Sequence, residues 1–370
     1  MQENIYIQPI GFAASPQSEN GSAIRLAGSM VYASRFAVIR TQNGKVTSRD
    51  LCLVSDLEGV ISALPLQLKS DAEAQWADLQ AEHAPLQMGH RTVRLDQPQI
   101  MGILNVTPDS FSDGGEFLEK PEHGRAHASA MLEAGAAIID VGGESTRPGA
   151  AATWEGDELE RVIPAVEYCA AMGAAISVDT RRASVLEAAI NAGAHVANDV
   201  SAMRYDPRSH AVAVSTDCPV ILMHAPGTGD DLHEGGTYSN VVFDVFDALR
   251  QYRDDAIAAG IARERIILDP GIGFGKSLAE NLSILNALPL YHALGQPLLL
   301  GVSRKRMIGA LSHEAAAHER KGGSVALATL GMNAGVHMLR VHDVAETVQA
   351  RNVWRGLRDA ALTEFAHLPD

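Results

Sequence analysis

The sequence predicts an α/β protein: a (β/α)8 barrel preceded by a small N-terminal α+β appendage. Three observations carry this reading. From about residue 98, short apolar, β-branched runs alternate with Ala-rich amphipathic segments, the pattern of βα units feeding a parallel sheet. The runs number eight, which is the count that closes a barrel. Each stays apolar until its C-terminal end, which then carries Asn105, Glu144, Asp179, Asn198, His224, Asp269, Ser303 or Arg340. A barrel gathers all such ends on one face and builds its site there. An open doubly wound sheet would instead collect ligands at a switch point.

Residues 1–97 lack the repeat and are expected to form the appendage, with residues 98–370 forming the barrel. "RFAVIRTQNGKVTSRDLCLV" alternates apolar and polar residues around Asn43-Gly44, a strong hairpin signal. "DAEAQWADLQAEHA" reads as a short amphipathic helix and "LDQPQ" as a linker. The eight runs then follow: "IMGILNV", "AAIIDVGG", "AAISVDT", "HVANDVS", "PVILMH", "RIILDPG", "PLLLGVS" and "VHMLRVHD". Between them, Asp206-Pro207 is placed to open a helix, since Pro suits the first turn. Asp343 with Glu346 three residues on has the spacing of a capping box for the last helix.

Composition narrows the class of function. With 30 Lys and Arg against 45 Asp and Glu, the net charge is −15, which argues against nucleic acid or an anionic membrane as partner. Any anionic ligand must be held by a local basic cluster. Cys52, Cys169 and Cys218 are far apart with no CxxC pair, as in a reduced cytoplasmic protein. The opening "MQENIYIQPIGF" has an early Glu and no long apolar core, unlike a secretory signal. No apolar run approaches the roughly 20 residues a membrane helix requires.

Seven motifs, in order, resemble the dihydropteroate synthase family: "ILNVTPDSFSDGG", "IIDVGGESTRPGA", "ISVDT", "NDVSA", "LDPGIGFGK", "GVSRKRMIG" and "RVHDV". The resemblance covers about residues 98 to 360 and leaves the appendage outside. It implies a TIM barrel that condenses a pterin pyrophosphate with p-aminobenzoate, releases pyrophosphate, uses Mg²⁺ and forms a homodimer. Enzymes of this family are sulfonamide targets.

The resemblance also implies roles. Asp269 would anchor the pterin ring, with Asp179 and Asn198 in the same pocket. Strand-end carboxylates and an amide suit a flat donor array. Met223, Gly273 and Phe274 would border the ring. Lys305 would touch both substrate sites, and Arg340 and His342 would hold pyrophosphate; Lys305, Arg340, His342 and Asp179 are the catalytic candidates. Arg and His suit phosphate and proton handling. Thr146, Arg147 and Pro148 would contact substrate and help shape the p-aminobenzoate site, and Phe111 would close one side of the aromatic pocket. Asn105 would offer an amide oxygen to Mg²⁺, a hard cation. Arg306 stands where some relatives carry Ser and receives no role.

Two other motifs fail on inspection. "PGIGFGKS" resembles a phosphate-binding Walker loop, but its first glycine position is Pro270. "HEAAAH" separates His313 and His318 by five residues, turning one about 140° from the other on a helix, so they cannot share a zinc face. Two rival readings remain at this point. A corrinoid-linked pterin methyltransferase would share the barrel but has no use for a diphosphate site. A catalytically silent paralogue would only bind pterin.

Overall fold

The computed structural model describes residues 3–19, 22–107, 121–145 and 153–362. The chain opens with β1 (Glu3–Ala13), β2 (Ile24–Arg25), β3 (Tyr32–Gln42) and β4 (Lys45–Leu53), an antiparallel sheet centred on β3. Asn43 and Gly44 form the β3–β4 turn with φ of 49° and 77°. Both values are positive, as the two-residue hairpin turn expected from Asn-Gly requires. Helices Val54–Ser62 and Leu66–Gln80 follow, the second covering residues 71–80 of the predicted amphipathic segment and ending before its last four. A short hairpin, β5 (Leu86–Met88) and β6 (Arg91–Val93), leads into the barrel.

The barrel strands are β7 (Gln99–Asn105), β8 (Ile138–Gly142), β9 (Ile176–Asp179), β10 (Val196–Asp199), β11 (Val220–Met223), β12 (Ile266–Asp269), β13 (Leu299–Gly301) and β14 (Met338–Val341). They pair in parallel in the order β12-β11-β10-β9-β8-β7-β14-β13. A parallel bridge between Leu268 and Leu298 joins the two ends and closes the ring. All eight coincide with the predicted apolar runs.

The strand pleat explains how the interior is layered, because side chains two apart point the same way. Met101, Ile138, Ala175, Val196, Ile221, Ile267, Leu299 and Met338 form one buried apolar cluster, one from each strand or the residue before it. Leu86, Met88, Val93 and Leu95 belong to the same cluster. The β5–β6 hairpin and its exit therefore plug the barrel floor. Two residues further along, the inward series becomes Ile103, Asp140, Ser177, Asn198, Met223, Asp269, Gly301 and Arg340. An apolar floor thus supports a polar layer, and that layer faces the open end.

The sheet of the appendage lies instead against the barrel's outer wall. Tyr6 stacks on Phe243 at 4.3 Å and meets Phe246 edge-on at 5.4 Å, both on helix Val241–Ala258. Its hydroxyl donates to Asp247 Oδ2 at 2.8 Å. Arg250 pairs with Asp71 at 3.0 Å and Arg263 with Asp78 at 2.9 Å across the same junction. Appendage and barrel residues share one hydrophobic core.

Two predicted helix signals are realised differently. Helix Ser209–Thr216 starts after a turn in which Ser209 N donates to Asp206 O. Asp206 itself accepts from Ala183 N at 3.0 Å. Asp343 precedes helix Val344–Leu362, but its carboxylate is taken by the Arg304 fork at 2.7 and 3.0 Å. Glu346 pairs with Lys321 at 2.7 Å. A full capping box occurs at Ser277 and Glu280, where the glycine-rich stretch ends and helix Leu278–Asn286 begins. No helix among the described residues is long and apolar enough to cross a membrane.

Gln75 offers a direct test of this brace. Buried on the second helix, it accepts from Ile7 N at 2.9 Å and donates to Ile5 O at 2.8 Å. Gln75→Leu leaves both backbone groups of β1 unpaired, at a cost of about 1–3 kcal/mol. Urea unfolding of the intact chain should show that loss; an unchanged midpoint would mean that β1 contributes nothing to the folded unit.

Candidate active site

The polar layer and the strand ends above it enclose a cavity of about 910 Å³. Asn105, Asp179, Asn198, Met223, Asp269, Gly273, Phe274, Lys305, Arg340 and His342 all line it. These are ten of the predicted site residues. Phe111, Thr146, Arg147 and Pro148 lie outside the described residues.

Arg340 stands at the centre of the layer. Its Nε donates to Asp140 Oδ2 at 2.6 Å and its Nη2 to Asp179 Oδ2 at 2.7 Å. Asn198 Nδ2 donates to the same Asp140 carboxylate at 3.2 and 3.3 Å. Asp140 has no exposed surface. Four residues from strands β8, β9, β10 and β14 are thus joined by charged hydrogen bonds across the barrel, a stronger arrangement than neutral pairs would make.

The opposite wall is built on glycines. After β12, Gly271 and Gly273 adopt φ of 66° and 86°, the left-handed region that suits glycine. A side chain on Gly271 would meet His224 O at 1.9 Å. Asp269 accepts from Gly271 N at 2.7 Å, so one oxygen is spent on the turn. Lys276 donates to the carbonyls of Gly271 at 2.8 Å, Phe274 at 3.1 Å and His224 at 3.3 Å. Lys305 reaches Ile272 O and holds its ammonium 4.4 Å from the Phe274 ring centre, a cation–π distance. His233 stacks on Phe274 at 5.1 Å with the rings 9° from parallel. Ser303 Oγ accepts from His342 N at 3.1 Å and lies 3.0 Å from its Nδ1.

The charges perturb one another. Burial raises Asp179 to about 7, Arg340 opposes the shift, and the Asp140 charge adds to it. One guanidinium serving two carboxylates leaves an excess negative charge, which a proton on Asp179 relieves. Burial also raises Asp269, and raises Asp199 to about 6. It lowers Lys305 to about 8 and Lys276 to about 7. For Arg340 burial works downward, but Asp140 and Asp179 carry it above its ordinary value. These are the perturbations expected where ligands are handled.

Several of these residues escaped the sequence reading. Asp140 interrupts "AAIIDVGG" in mid-strand, and a carboxylate there must find a buried partner; that was its available signal. Lys276 hid in the rejected Walker-like stretch. His233 lies on a loop of small and acidic residues and carried no signal.

The fold and this layer define a barrel enzyme with a polar pocket at its strand ends. The pterin binding enzyme family model matches residues 101–342, so the chain belongs to that family. It is 46% identical over 264 residues to the dihydropteroate synthase of Escherichia coli K12, spanning 70% of this chain and 91% of that protein. Dihydropteroate synthase of Xanthomonas albilineans, solved with 4-aminobenzoic acid, is 42% identical with a TM-score of 0.69, covering 78% of this chain and all of that one. Its complex with 7,8-dihydropteroate matches at 40% identity and a TM-score of 0.67, covering 77% of this chain and 100% of that chain.

The Asp179 shift has a measurable sign. Its ordinary value is 3.8, and the folded protein holds the proton to higher pH than the unfolded chain. Asp179 therefore contributes stability that is complete below about pH 4 and is lost as pH rises through about 7. Asp179→Asn removes that dependence. Denaturant unfolding across this range should show the variant gaining on the wild type as pH rises. A difference that stays constant would contradict the shift.

Proposed function

We propose that the chain is a transferase of the dihydropteroate synthase type. It condenses 6-hydroxymethyl-7,8-dihydropterin pyrophosphate with p-aminobenzoate, giving 7,8-dihydropteroate and pyrophosphate. The observation that carries this reading is the polar layer: Asp179, Asn198 and Asp269 beside Arg340 and Lys305 in one cavity, with Asp140 buried behind Asn198 and Arg340. Carboxylates and an amide facing two cations suit a molecule with a flat N–H-rich ring at one end and a diphosphate at the other.

In this reading Asp269 anchors the pterin through the oxygen that Gly271 leaves available, and Asn198 and Asp179 complete the pocket. Arg340 spends Nε and Nη2 on carboxylates and keeps Nη1 for phosphate oxygens. His342, oriented by Ser303, and Lys305 add to that anion site. The reaction breaks the bond between the pterin methylene and its diphosphate oxygen. The aminobenzoate nitrogen then bonds to that methylene and loses a proton. The protein supplies charge stabilisation for the leaving diphosphate and alignment of the amine. Met223 and Phe274 keep water from the ring side. A methyl-transferring pterin enzyme would have no need of the Lys305, Arg340 and His342 cluster.

The donor set also fits Mg²⁺ brought with the diphosphate. Asn105 ends β7 with its side-chain oxygen turned toward Gly142, whose added Cβ would lie 3.6 Å away. Among the described residues no group of three His, Cys, Asp or Glu is arranged to hold a metal. Mg²⁺ commonly takes one or two protein ligands together with phosphates and water. Bound there, it would neutralise charge on the leaving diphosphate. A homodimer fits the exposed Val353 and Leu357, 63% and 68% accessible, one turn apart on helix Val344–Leu362. The three free cysteines fit a reducing cytoplasm.

A coupled assay of the intact chain should detect pyrophosphate release that requires both substrates; pterin binding without release would overturn the reading. Asp269→Asn presents a donor to the ring's N–H groups and should weaken pterin affinity ten- to hundred-fold, at about 1–3 kcal/mol. An unchanged dissociation constant by calorimetry would remove Asp269 from the pocket.

A further inference from the structure

Three histidines meet where the appendage reaches the base of the barrel, and the reaction assigned to the cavity uses none of them. His337 directly precedes β14, and His292 sits on the short helix Leu288–Leu294 ahead of β13. His83 leads into the β5–β6 hairpin that plugs the floor. The His337 ring meets His83 at 4.9 Å and His292 at 5.4 Å, edge-on in both contacts. His292 and His337 are 0% and 1% exposed.

Their hydrogen bonds suit only neutral rings. His337 Nδ1 accepts from Leu298 N at 3.0 Å, so the ring proton is on Nε2, which donates to Ala27 O at 2.9 Å. His292 Nε2 donates to Ala334 O at 2.8 Å, which leaves its Nδ1 a bare, buried acceptor. His83 Nε2 also has no hydrogen-bond partner among the described residues. A second proton on His337 would point at the Leu298 N–H. A second proton on His292 would make a buried N–H with no acceptor, which is costly. The nearby charges oppose protonation further. Arg263 faces His83 and donates to both oxygens of Asp78 at 2.9 and 3.0 Å, while Arg253 donates to Leu294 O at 2.6 Å. Glu82, next to His83, is exposed and turns to Arg25 at 3.6 Å.

The segment that these rings hold is tightly seated. Leu26 and Ala27 have no exposed surface. Ala27 and Gly28 have φ of 46° and 65°, a region that suits glycine but that an alanine keeps only where its surroundings hold it. A side chain on Gly28 would lie 3.0 Å from Glu82 Cα. One on Gly335 would lie 3.0 Å from Ser29 Oγ and 3.1 Å from His292 Nε2. Appendage and barrel base thus touch through the histidine cluster.

We propose that His83, His292 and His337 form an acid-sensitive latch: neutral, they clamp residues 26–29 and the His83 segment to the barrel base, and protonated, they release both while the barrel stays folded. Burial holds His337 at about 4, His292 at about 3 and His83 at about 2, against an ordinary value of 6.5. The closed latch therefore binds fewer protons than the open one. Closure is fully favoured above the ordinary value and is lost as pH falls below 6.5 toward about 4.

Amide hydrogen exchange of the intact chain, read as protection relative to the unstructured rate at each pH, follows such local opening. As pH drops from about 6.5 to about 5, opening at the amides of Ser29, Val31 and Leu298 should rise about tenfold for each ring that titrates. The amides of β8 should keep their protection. His83→Phe retains an edge-on ring but removes one titrating group, and should flatten the pH dependence. His337→Gln replaces the central ring with an amide that cannot titrate, and should flatten it too; His83→Phe carries the test if His337→Gln does not fold. Protection that ignores pH, that falls as steeply in either folded variant as in the wild type, or that is lost together with β8 would overturn the proposal.

Discussion

The structure of the site depends on one guanidinium shared by two carboxylates, one fully buried and one at the cavity wall. Arg340 enters the barrel from β14 and meets Asp140 from β8 and Asp179 from β9. Removing one partner of such a buried pair leaves a charge uncompensated, a cost of about 3–5 kcal/mol. The layer is therefore held as a set. It carries more negative than positive charge on this side, and the lysines on the opposite wall, Lys276 and Lys305, answer it. A ligand with N–H groups at one end and phosphate oxygens at the other would meet both halves already in place.

That ion set can exist only because the layer below it is dry. The eight floor residues and the β5–β6 hairpin close the barrel with aliphatic and methionine side chains, and the pleat then turns the next inward residue of most strands polar. The appendage contributes at two places: its last hairpin seals the floor, and its sheet braces helix Val241–Ala258 through Tyr6. That helix begins where the β11 loop ends, and Gly44 at the β3–β4 turn approaches Ser239 so closely that an added Cβ would lie 3.1 Å away. The appendage thus adjoins a segment that also reaches the cavity, through His233.

The fold was legible because its signals are local. Strand period, a polar residue at each C-terminal end and an Asn-Gly turn are all short-range, and each appears in the chain where it was read. The site was legible at strand ends for the same reason: Asn105, Asp179, Asn198, Asp269 and Arg340 stand where a barrel must gather them. What escaped depends on distant partners. Asp140 means little until Arg340 is known to cross the barrel, 200 positions later. Arg181, just after β9, becomes informative only when Glu144 and the Gly229 carbonyl are seen accepting from its guanidinium on either side. Asp343 illustrates the converse, since a local capping signal lost its carboxylate to Arg304 from another strand end. Long-range charge pairing overrides local propensity wherever the burial is deep.

The central claim is that Arg340 and Asp140 act as one unit that organises the pocket. A double-mutant cycle on Asp140→Asn and Arg340→Met measures this directly, with denaturant unfolding and pterin affinity as parallel readouts. The two residues are in contact, so a coupling of about 1–3 kcal/mol is predicted in both. Additive effects within about 0.5 kcal/mol in both readouts would contradict the account and leave Arg340 acting independently of Asp140.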